Sequence, residues 1–517
     1  LTPFVSSEVE TRSRLSTSLE ANGIVRQMAG NIILVIDAGT TSTRALAFAP
    51  DGTVLAVSQA DLTQHYPRPG WVEHDAAEIR DLTLAALREV AGAIGGADRI
   101  AAIGLTNQRE TVVAWDRASG EPLARAVVWQ DRRTAEMCAA LREAGHEDLV
   151  QARTGLLLDP YFSATKMRWL LDNEPAVAAA ARAGRLALGT VDAWLVHCLT
   201  GGAHLSDASN ASRTSLLPLA GATWDAELCD LFGVSVSALP EVIDTHGPLA
   251  MTSPDILGQA VPITGMAGDQ QAATIGQGCL SPGQTKATYG TGAFVLTNMG
   301  ERVPASRHRL LATVLSQQGG QRSYALEGSI FVAGSLVKWL RDSLGVISRA
   351  DETEALARSV ADSGGVVIVP ALSGLGAPHW RPEARGLISG LSFATERAHL
   401  ARAALEAMAH QTHDLAEAFA GDGARWTALA IDGGMSANDW MAQDIADMTG
   451  VPVSRPAMVE TTALGAAMLA SVGCGLHASL EDAAAAMRGP GQRFAPVLDA
   501  ASRQPRLAAW SAALSSV

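Results

Sequence analysis

Asp37-Ala38-Gly39-Thr40-Thr41-Ser42-Thr43-Arg44 stands between two apolar runs, Ile32-Ile33-Leu34-Val35-Ile36 and Ala45-Leu46-Ala47-Phe48-Ala49. The first run is continuous and rich in β-branched residues, the pattern of a buried strand. Arg44 to Ala49 reads as a second strand, and Pro50-Asp51-Gly52 turns the chain again. Gly39 lets the backbone bend and approach a ligand closely. Thr40, Thr41 and Ser42 bring hydroxyls and backbone N–H groups suited to cradling phosphate oxygens. Asp37, at the end of the first strand, has the chemistry to hold Mg²⁺ through its waters. Taken alone, the same residues also fit an ordinary hairpin with hydroxyls at its turn.

The pattern returns in the second half of the chain. Gln284 to Thr288 reads as a strand, Tyr289-Gly290-Thr291-Gly292 as a tight turn and Ala293 to Thr297 as a strand. Two Gly-Thr turns, one per half, point to a duplicated α/β architecture gripping a polyphosphate from both sides. A third segment, Ala430-Ile431-Asp432-Gly433-Gly434-Met435-Ser436-Ala437-Asn438, reads as a buried strand meeting a double glycine and then a helix. Glycines there let a flat group lie on the backbone, and the helix N-terminus favours an anion. The alternative is a plain strand-to-helix turn with Ser436 as cap. The boundary between the halves falls near Leu280-Ser281-Pro282-Gly283, giving units 31–280 and 281–517.

Between the two turns lie residues that suit a polyhydroxyl ligand. Arg109 and Glu110 follow the buried strand Ile100 to Leu105 and pair donors with acceptors. A surface ion pair is the bland alternative. Trp129 ends the apolar stretch Val127-Val128, either as core or as a wall against a carbon face. Asp159-Pro160-Tyr161-Phe162-Ser163 is a loop offering a Tyr hydroxyl. In Ala267-Gly268-Asp269-Gln270-Gln271-Ala272, a strand gives way to a helix that starts near Ala272. Asp269 is either the N-cap of that helix or a general base at a strand terminus, where ligands of α/β folds collect.

The bulk numbers remove other classes. A chain of 517 residues with 48% hydrophobic and 18% charged residues is a folded protein of two or three domains. Net charge is −14 with no basic face, which argues against a nucleic acid or an anionic membrane surface as partner. Cys138, Cys198, Cys229, Cys279 and Cys474 are scattered and odd in number, so neither a disulfide framework nor a zinc site is expected, and the cytoplasm is the expected compartment. No run is apolar enough to span a bilayer. Residues 1–30 are polar and Ser-rich and read as a disordered tail. GxxxxGK[ST] is missing, so an ATP-using enzyme here must hold phosphates without a P-loop.

Together these stretches, with Pro69-Gly70-Trp71-Val72-Glu73-His74-Asp75, Trp129-Gln130-Asp131-Arg132-Arg133 and Gly374-Leu375-Gly376-Ala377-Pro378, resemble the FGGY carbohydrate kinases from about Ile32 to Gly475. The resemblance implies two ribonuclease-H-like domains of the actin-like ATPase type with a nucleotide cleft between them. It implies ATP and Mg²⁺ as cofactors, glycerol as the small-molecule substrate, sn-glycerol 3-phosphate as product, and a homodimer or homotetramer. Carried over by residue, it implies that Arg109, Glu110, Tyr161, Asp269 and Gln270 bind the polyol, Trp129 and Phe294 line its carbon side, and Asp269 is the base. Thr40, Thr41, Ser42 and Arg44 would meet the terminal phosphates, with Mg²⁺ near Asp37. Thr291 and Gly334 would meet the inner part of the nucleotide, and Gly434 and Asn438 the adenosine. Lys338 stands where a nucleotide-contacting Gln is common, and Ala38 where a Gln is usual.

Overall fold

The computed structural model describes residues 30–381 and 383–517; apart from Gly30, the expected tail over residues 1–30 lies outside them. Strands β1 (Ile32–Ala38), β2 (Ser42–Phe48), β3 (Val54–Asp61), β4 (Ile100–Asn107), β5 (His246–Met251) and β6 (Pro262–Gly268) form one sheet in the order β5-β6-β4-β1-β2-β3. The hairpin β1–β2–β3 is antiparallel, whereas β4 and β6 run parallel to β1. Both faces of this sheet are covered, which is why β1 reads as an unbroken apolar run. Ile32, Leu34 and Ile36 pack in one cluster with Ile79, Leu87 and Val90 of helix α1 (Ala76–Ala93). Ile33 and Val35 pack on the opposite side.

Helix α2 (Asp269–Gly276) follows β6 directly. The second sheet comprises β7 (Gln284–Tyr289), β8 (Ala293–Gly300), β9 (Leu311–Gln318), β10 (Gln321–Ile330), β11 (Ala428–Asp432), β12 (Val453–Pro456) and β13 (Gly491–Phe494). Its order is β9-β10-β8-β7-β11-β12-β13. Within it, β10-β8-β7-β11-β12 repeats β3-β2-β1-β4-β6 strand for strand, including the parallel pairing of β11 with β7 and of β12 with β11. The duplication expected from the two Gly-Thr turns is therefore present in the topology.

Helices α3 (Gly334–Asp342) and α4 (Asp439–Thr449) belong to the second half. Beyond them the chain crosses back. Helices α5 (Thr461–Gly473) and α6 (Leu480–Met487) supply Ala463, Leu464, Ala467, Met468, Leu469 and Met487 to the cluster holding Ile33 and Val35 of β1. Small residues make that contact possible. A Cβ on Gly465 would lie 1.8 Å from the carbonyl oxygen of Ala272, and one on Gly276 would lie 2.0 Å from that of Thr461, so α2 and α5 touch backbone to backbone.

Three local expectations are corrected. The second strand begins at Ser42, two residues before Arg44, because Ala38–Thr43 and Asp37–Arg44 are already cross-strand pairs; the turn is only Gly39-Thr40-Thr41. The helix after β6 begins at Asp269, and Gly268 is its cap residue with no side-chain cap, so Asp269 does not serve as N-cap. After the double glycine a short 3-10 turn, Gly434–Ala437, intervenes, and the cap of α4 is Asn438, not Ser436.

Candidate active site

Parallel strands β1, β4 and β6 end level with one another, since Ala38 pairs with Asn107 and Asn107 with Gly268. In the second half Thr288 of β7 pairs with Asp432 of β11. The first turn, Arg109 with Glu110, Asp269, the second Gly-Thr turn and the double glycine all leave such carboxyl ends, where open α/β sheets collect their ligands; Trp129 and the loop 159–163 come from elsewhere.

The first turn is built from backbone. Gly39 N–H donates to the Ser42 carbonyl at 2.9 Å. Neighbouring polar side chains hold the turn from outside: Gln108 Nε2 donates to the Gly39 carbonyl (2.9 Å) and Gln64 Nε2 to that of Thr40 (2.6 Å). His74 sits between these two glutamines, and burial pushes its imidazole down to about 4, so it is neutral near pH 7. Thr41 is exposed, while Thr40 and Ser42 are half-buried. Arg44 pairs with Asp37 of β1 and with Glu460, just ahead of α5, so the turn is tied to the second half. Burial pushes the Asp37 carboxyl up, against the opposing charge of Arg44.

The second turn docks on the start of α3. Gly334 N–H donates to the Gly290 carbonyl (2.9 Å), and Ala333 and Ser335 N–H donate to that of Thr291 at 2.9 and 3.1 Å. A Cβ on Gly334 would sit 2.6 Å from the Gly290 oxygen, so Thr291 and Gly334 are brought together through backbone. Lys338, one turn further along α3, is exposed. At the third segment Gly433 has φ +84° and lies against the Tyr289 backbone, whereas a Cβ on Gly434 would meet nothing within 4 Å. Asn438 Oδ1 accepts from Met441 N–H at 2.9 Å. A cavity of about 800 Å³ opens beside this loop, lined by Gly433, Gly434, Arg455, Met458 and Gln492 among others.

The polyol candidates form a buried charge cluster, not a surface ion pair. Arg109 donates through Nη1 to Glu327 (2.7 Å) and pairs through Nε with Asp269 (3.1 Å); its sequence neighbour Glu110 is 3.9 Å away. Glu110 is held instead by Arg213 Nε at 2.6 Å, and Arg213 Nη2 reaches Glu327 at 3.0 Å. Burial works against the charge of Glu327, yet Arg109 and Arg213 hold its carboxyl down at about 2. Burial also opposes the Arg109 charge, and Glu327 and Glu110 outweigh it, holding the guanidinium above its usual range. Glu110 is pushed up by burial, with Arg109 and Arg213 opposing.

Asp269 opens outward from this cluster, its side chain 34% exposed against 2% for Arg109. Its Oδ1 also accepts from Gln270 N–H at 2.7 Å. Burial pushes its carboxyl up, and Arg109 and then Lys286 work against that. Trp129 forms the apolar side, with Tyr161 at 5.6 Å and Phe294 at 6.5 Å, both edge-on. The Trp129 indole N–H donates to Thr40 Oγ1 at 2.9 Å, so one ring joins the aromatic group to the first turn. Lys166 fixes the Tyr161 loop by donating to the carbonyls of Pro160, Tyr161 and Phe162.

Sequence reading missed Arg213, Glu327, Lys166 and Lys286. Glu327 follows the apolar stretch Tyr324-Ala325-Leu326, which signals a buried charge needing a partner, though the sequence does not name the partner; Lys286 sits among Gln284, Thr285 and Thr288 and gave no such contrast. Arg213 lies in a polar loop and gave no such signal.

The family-level comparison agrees with this geometry. The N-terminal domain of the FGGY family of carbohydrate kinases matches residues 32–276, and its C-terminal domain residues 285–474. The chain belongs to the FGGY family of carbohydrate kinases. Within the family it is similar to the glycerol kinase of Rhodospirillum rubrum, 52% identical over 94% of this chain and 98% of that protein. It is also similar to the glycerol kinase of Alcanivorax borkumensis, 53% identical over 94% and 98%. Among solved structures, Plasmodium falciparum glycerol kinase with ADP superposes with a TM-score of 0.90 at 35% identity, covering 94% of this chain and 98% of that one. Xylulose kinase from Rhodospirillum rubrum superposes at 0.85 with 28% identity and the same coverage.

Proposed function

We propose that this protein transfers the γ-phosphoryl group of ATP to a terminal hydroxyl of glycerol, yielding sn-glycerol 3-phosphate and ADP. The observation that carries the reading is the buried Arg109–Glu110–Asp269 set beneath a small aromatic wall, joined through Trp129 and Thr40 to a backbone-built phosphate turn. Glycerol has three hydroxyls on three carbons, and this site offers donors from Arg109 and Gln270, acceptors from Glu110 and Asp269, and a Tyr161 hydroxyl. The glycerol kinases that match over nearly the whole chain support the same substrate.

In the reaction the substrate oxygen forms a bond to the γ-phosphorus as the bond to the β–γ bridging oxygen breaks. Phosphoryl transfer rests mainly on positioning and charge, and the base takes the hydroxyl proton. Asp269 accepts that proton; burial pushes its carboxyl up, and Arg109 and Lys286 act against that rise. Thr40, Thr41, Ser42 and Arg44 receive the terminal phosphates, Thr291 and Gly334 the inner part of the nucleotide with Lys338 at its margin, and Gly434 and Asn438 the adenosine. Arg44 can engage a phosphate by leaving Glu460, its partner from the second half.

Among the described residues no group of three or more His, Cys, Asp or Glu stands ready to bind a metal by itself. Asp37 fits a Mg²⁺ carried by the nucleotide and held through water, since its carboxylate lies at the strand end beside the phosphate turn with Arg44 as its ion-pair partner. When bound, the ion neutralises charge on the phosphates.

The proposal divides the chain into a polyol- and phosphate-binding unit, 31–280, and a nucleotide-binding unit, 281–517, with α5 and α6 returning to the first. It places the enzyme in the cytoplasm as a homodimer or homotetramer; no described helix is long and apolar enough to cross a membrane. A coupled ADP assay tests the function: ADP formation should require glycerol, and a rate unchanged by glycerol would contradict the proposal.

A further inference from the structure

Lys286 lies in the middle of β7 and is fully buried. Its ammonium crosses from the second half of the molecule to the first and donates to Oε1 of Gln270, the second residue of α2. An ammonium can only donate, so the Gln270 amide must turn its oxygen toward Lys286 and its NH₂ away. A carboxamide free to flip offers a hydroxyl either a donor or an acceptor. One held in this way offers donors alone. Burial lowers the pKa of the Lys286 ammonium, and two carboxylates, Asp432 of β11 and Asp269 at the start of α2, act against that lowering. Asp432 spends Oδ2 on Gln277 and Thr461, while its Oδ1 is buried without a hydrogen-bond partner.

We propose that Lys286 is a positioning and specificity-determining residue of the polyol site: it locks Gln270 so that the amide donates to a substrate hydroxyl, and it keeps a positive charge beside Asp269. The inference rests on the polyol-kinase reading given above. Lys286 acts through two neighbours and so affects two measurable quantities. Through Gln270 it sets polyol affinity. Through its charge it opposes the rise that burial gives the Asp269 carboxyl. The charged groups acting on Asp269 are Arg109 from the loop after β4, Lys286 from β7 and Glu327 from β10, and the Gln270 N–H also donates to its carboxylate. Without Lys286 a single cation opposes burial and the repulsion of Glu327. The Asp269 carboxyl then rises, and the acid limb of kcat/KM moves to higher pH.

The test is a double-mutant cycle between Lys286→Met and Gln270→Ala, run on the full chain with glycerol and ATP. In the wild-type background Lys286→Met should raise the glycerol KM by about tenfold or more and shift the acid limb upward, a pH effect that mere loosening of the fold would not give. In the Gln270→Ala background the same change should move KM less than about twofold, while the limb still shifts. Equal KM effects in both backgrounds, or an unmoved limb in a folded variant, would overturn the proposal. Should Lys286→Met fail to fold, Lys286→Arg takes its place: it keeps the charge, so the limb should stay while KM rises only where Gln270 is present, and the opposite pattern would refute it. If the wild-type chain ignores glycerol but phosphorylates another polyol, the substrate assignment falls and the cycle is read with that polyol.

Discussion

The phosphate turn after β1 and the charge cluster after β4 sit at the ends of adjacent strands, yet they are built from opposite materials. The turn is backbone: Gly39, Thr40 and Thr41 present main-chain groups, and side chains such as Gln64 and Gln108 only brace it from outside. The cluster is side chain: Arg109, Arg213, Glu110 and Glu327 are each at most 2% exposed and pair with one another, although Arg213 Nη1 is buried without a hydrogen-bond partner. A group made from consecutive backbone tolerates loss of a side chain and suffers from an added one. A group made from interlocked charges tolerates neither loss nor neutralisation, because a charge left alone in the interior is costly.

That contrast can be broken or sharpened by substitution. The largest effect is expected from Glu327→Gln, which leaves Arg109 and Arg213 facing each other with one carboxylate fewer. It should cost about 3–5 kcal/mol, seen as a lower urea midpoint, together with a raised glycerol KM. A midpoint unchanged from wild type would show that the ring of charges is not a unit.

Next comes Asp269→Asn. Asp269 does not cap its helix, so the fold should persist while kcat falls by roughly 10²-fold or more. In the wild-type protein kcat/KM should drop as pH falls, because the base must be ionised. Burial raises its pKa, so the drop should begin above the ordinary carboxylate range. Normal turnover by a folded Asp269→Asn protein would remove Asp269 from the role of base.

The backbone-built sites give the smaller effects. Gly434→Ala adds a methyl that meets nothing in the protein, so melting should be unchanged. A nucleotide lying on the glycine would feel it, raising the ATP KM by roughly tenfold, about 1.4 kcal/mol. Thr41→Ala, at an exposed position, should change the ATP KM by less than about threefold. A large loss from Thr41→Ala with none from Gly434→Ala would invert the comparison.

The same division decided what could be read from sequence. Backbone-built elements are contiguous, so Asp37 to Arg44, Tyr289 to Gly292 and Asp432 to Gly434 announced the turns and a duplicated α/β architecture, though not the strand order of either sheet. Arg109, Glu110 and Asp269 were legible because each follows a buried strand directly. Their true partners were not. Glu110 is matched by Arg213 and Arg109 by Glu327, pairs separated by 103 and 218 residues, and a sequence displays a buried charge without saying what neutralises it. Adjacency misled in the same way, since Arg109 and Glu110 are neighbours in sequence but not each other's main partner. The return of α5 and α6 to the first sheet was also hidden, because a run such as Ala463 to Ala470 is equally apolar whichever sheet it covers. The structure settles it through the packing of this run on Ile33 and Val35 and the close approach of Gly465 to Ala272.

The central claim is that this site is sized and wired for glycerol, and a panel of kcat/KM values with ATP tests it most directly. On the proposed reading, Trp129, with Tyr161 and Phe294 edge-on to it, would limit the carbon side, and Arg109, Glu110, Asp269 and Gln270 would read the hydroxyls. A buried site that hydrogen-bonds a hydroxyl rejects an analogue lacking it by far more than an apolar slot rejects one extra methylene. Glycerol should therefore give the highest kcat/KM, 1,2-propanediol should be a poor substrate for want of a hydroxyl, and erythritol and xylulose should fail on size. A higher kcat/KM for xylulose or erythritol than for glycerol would contradict the account.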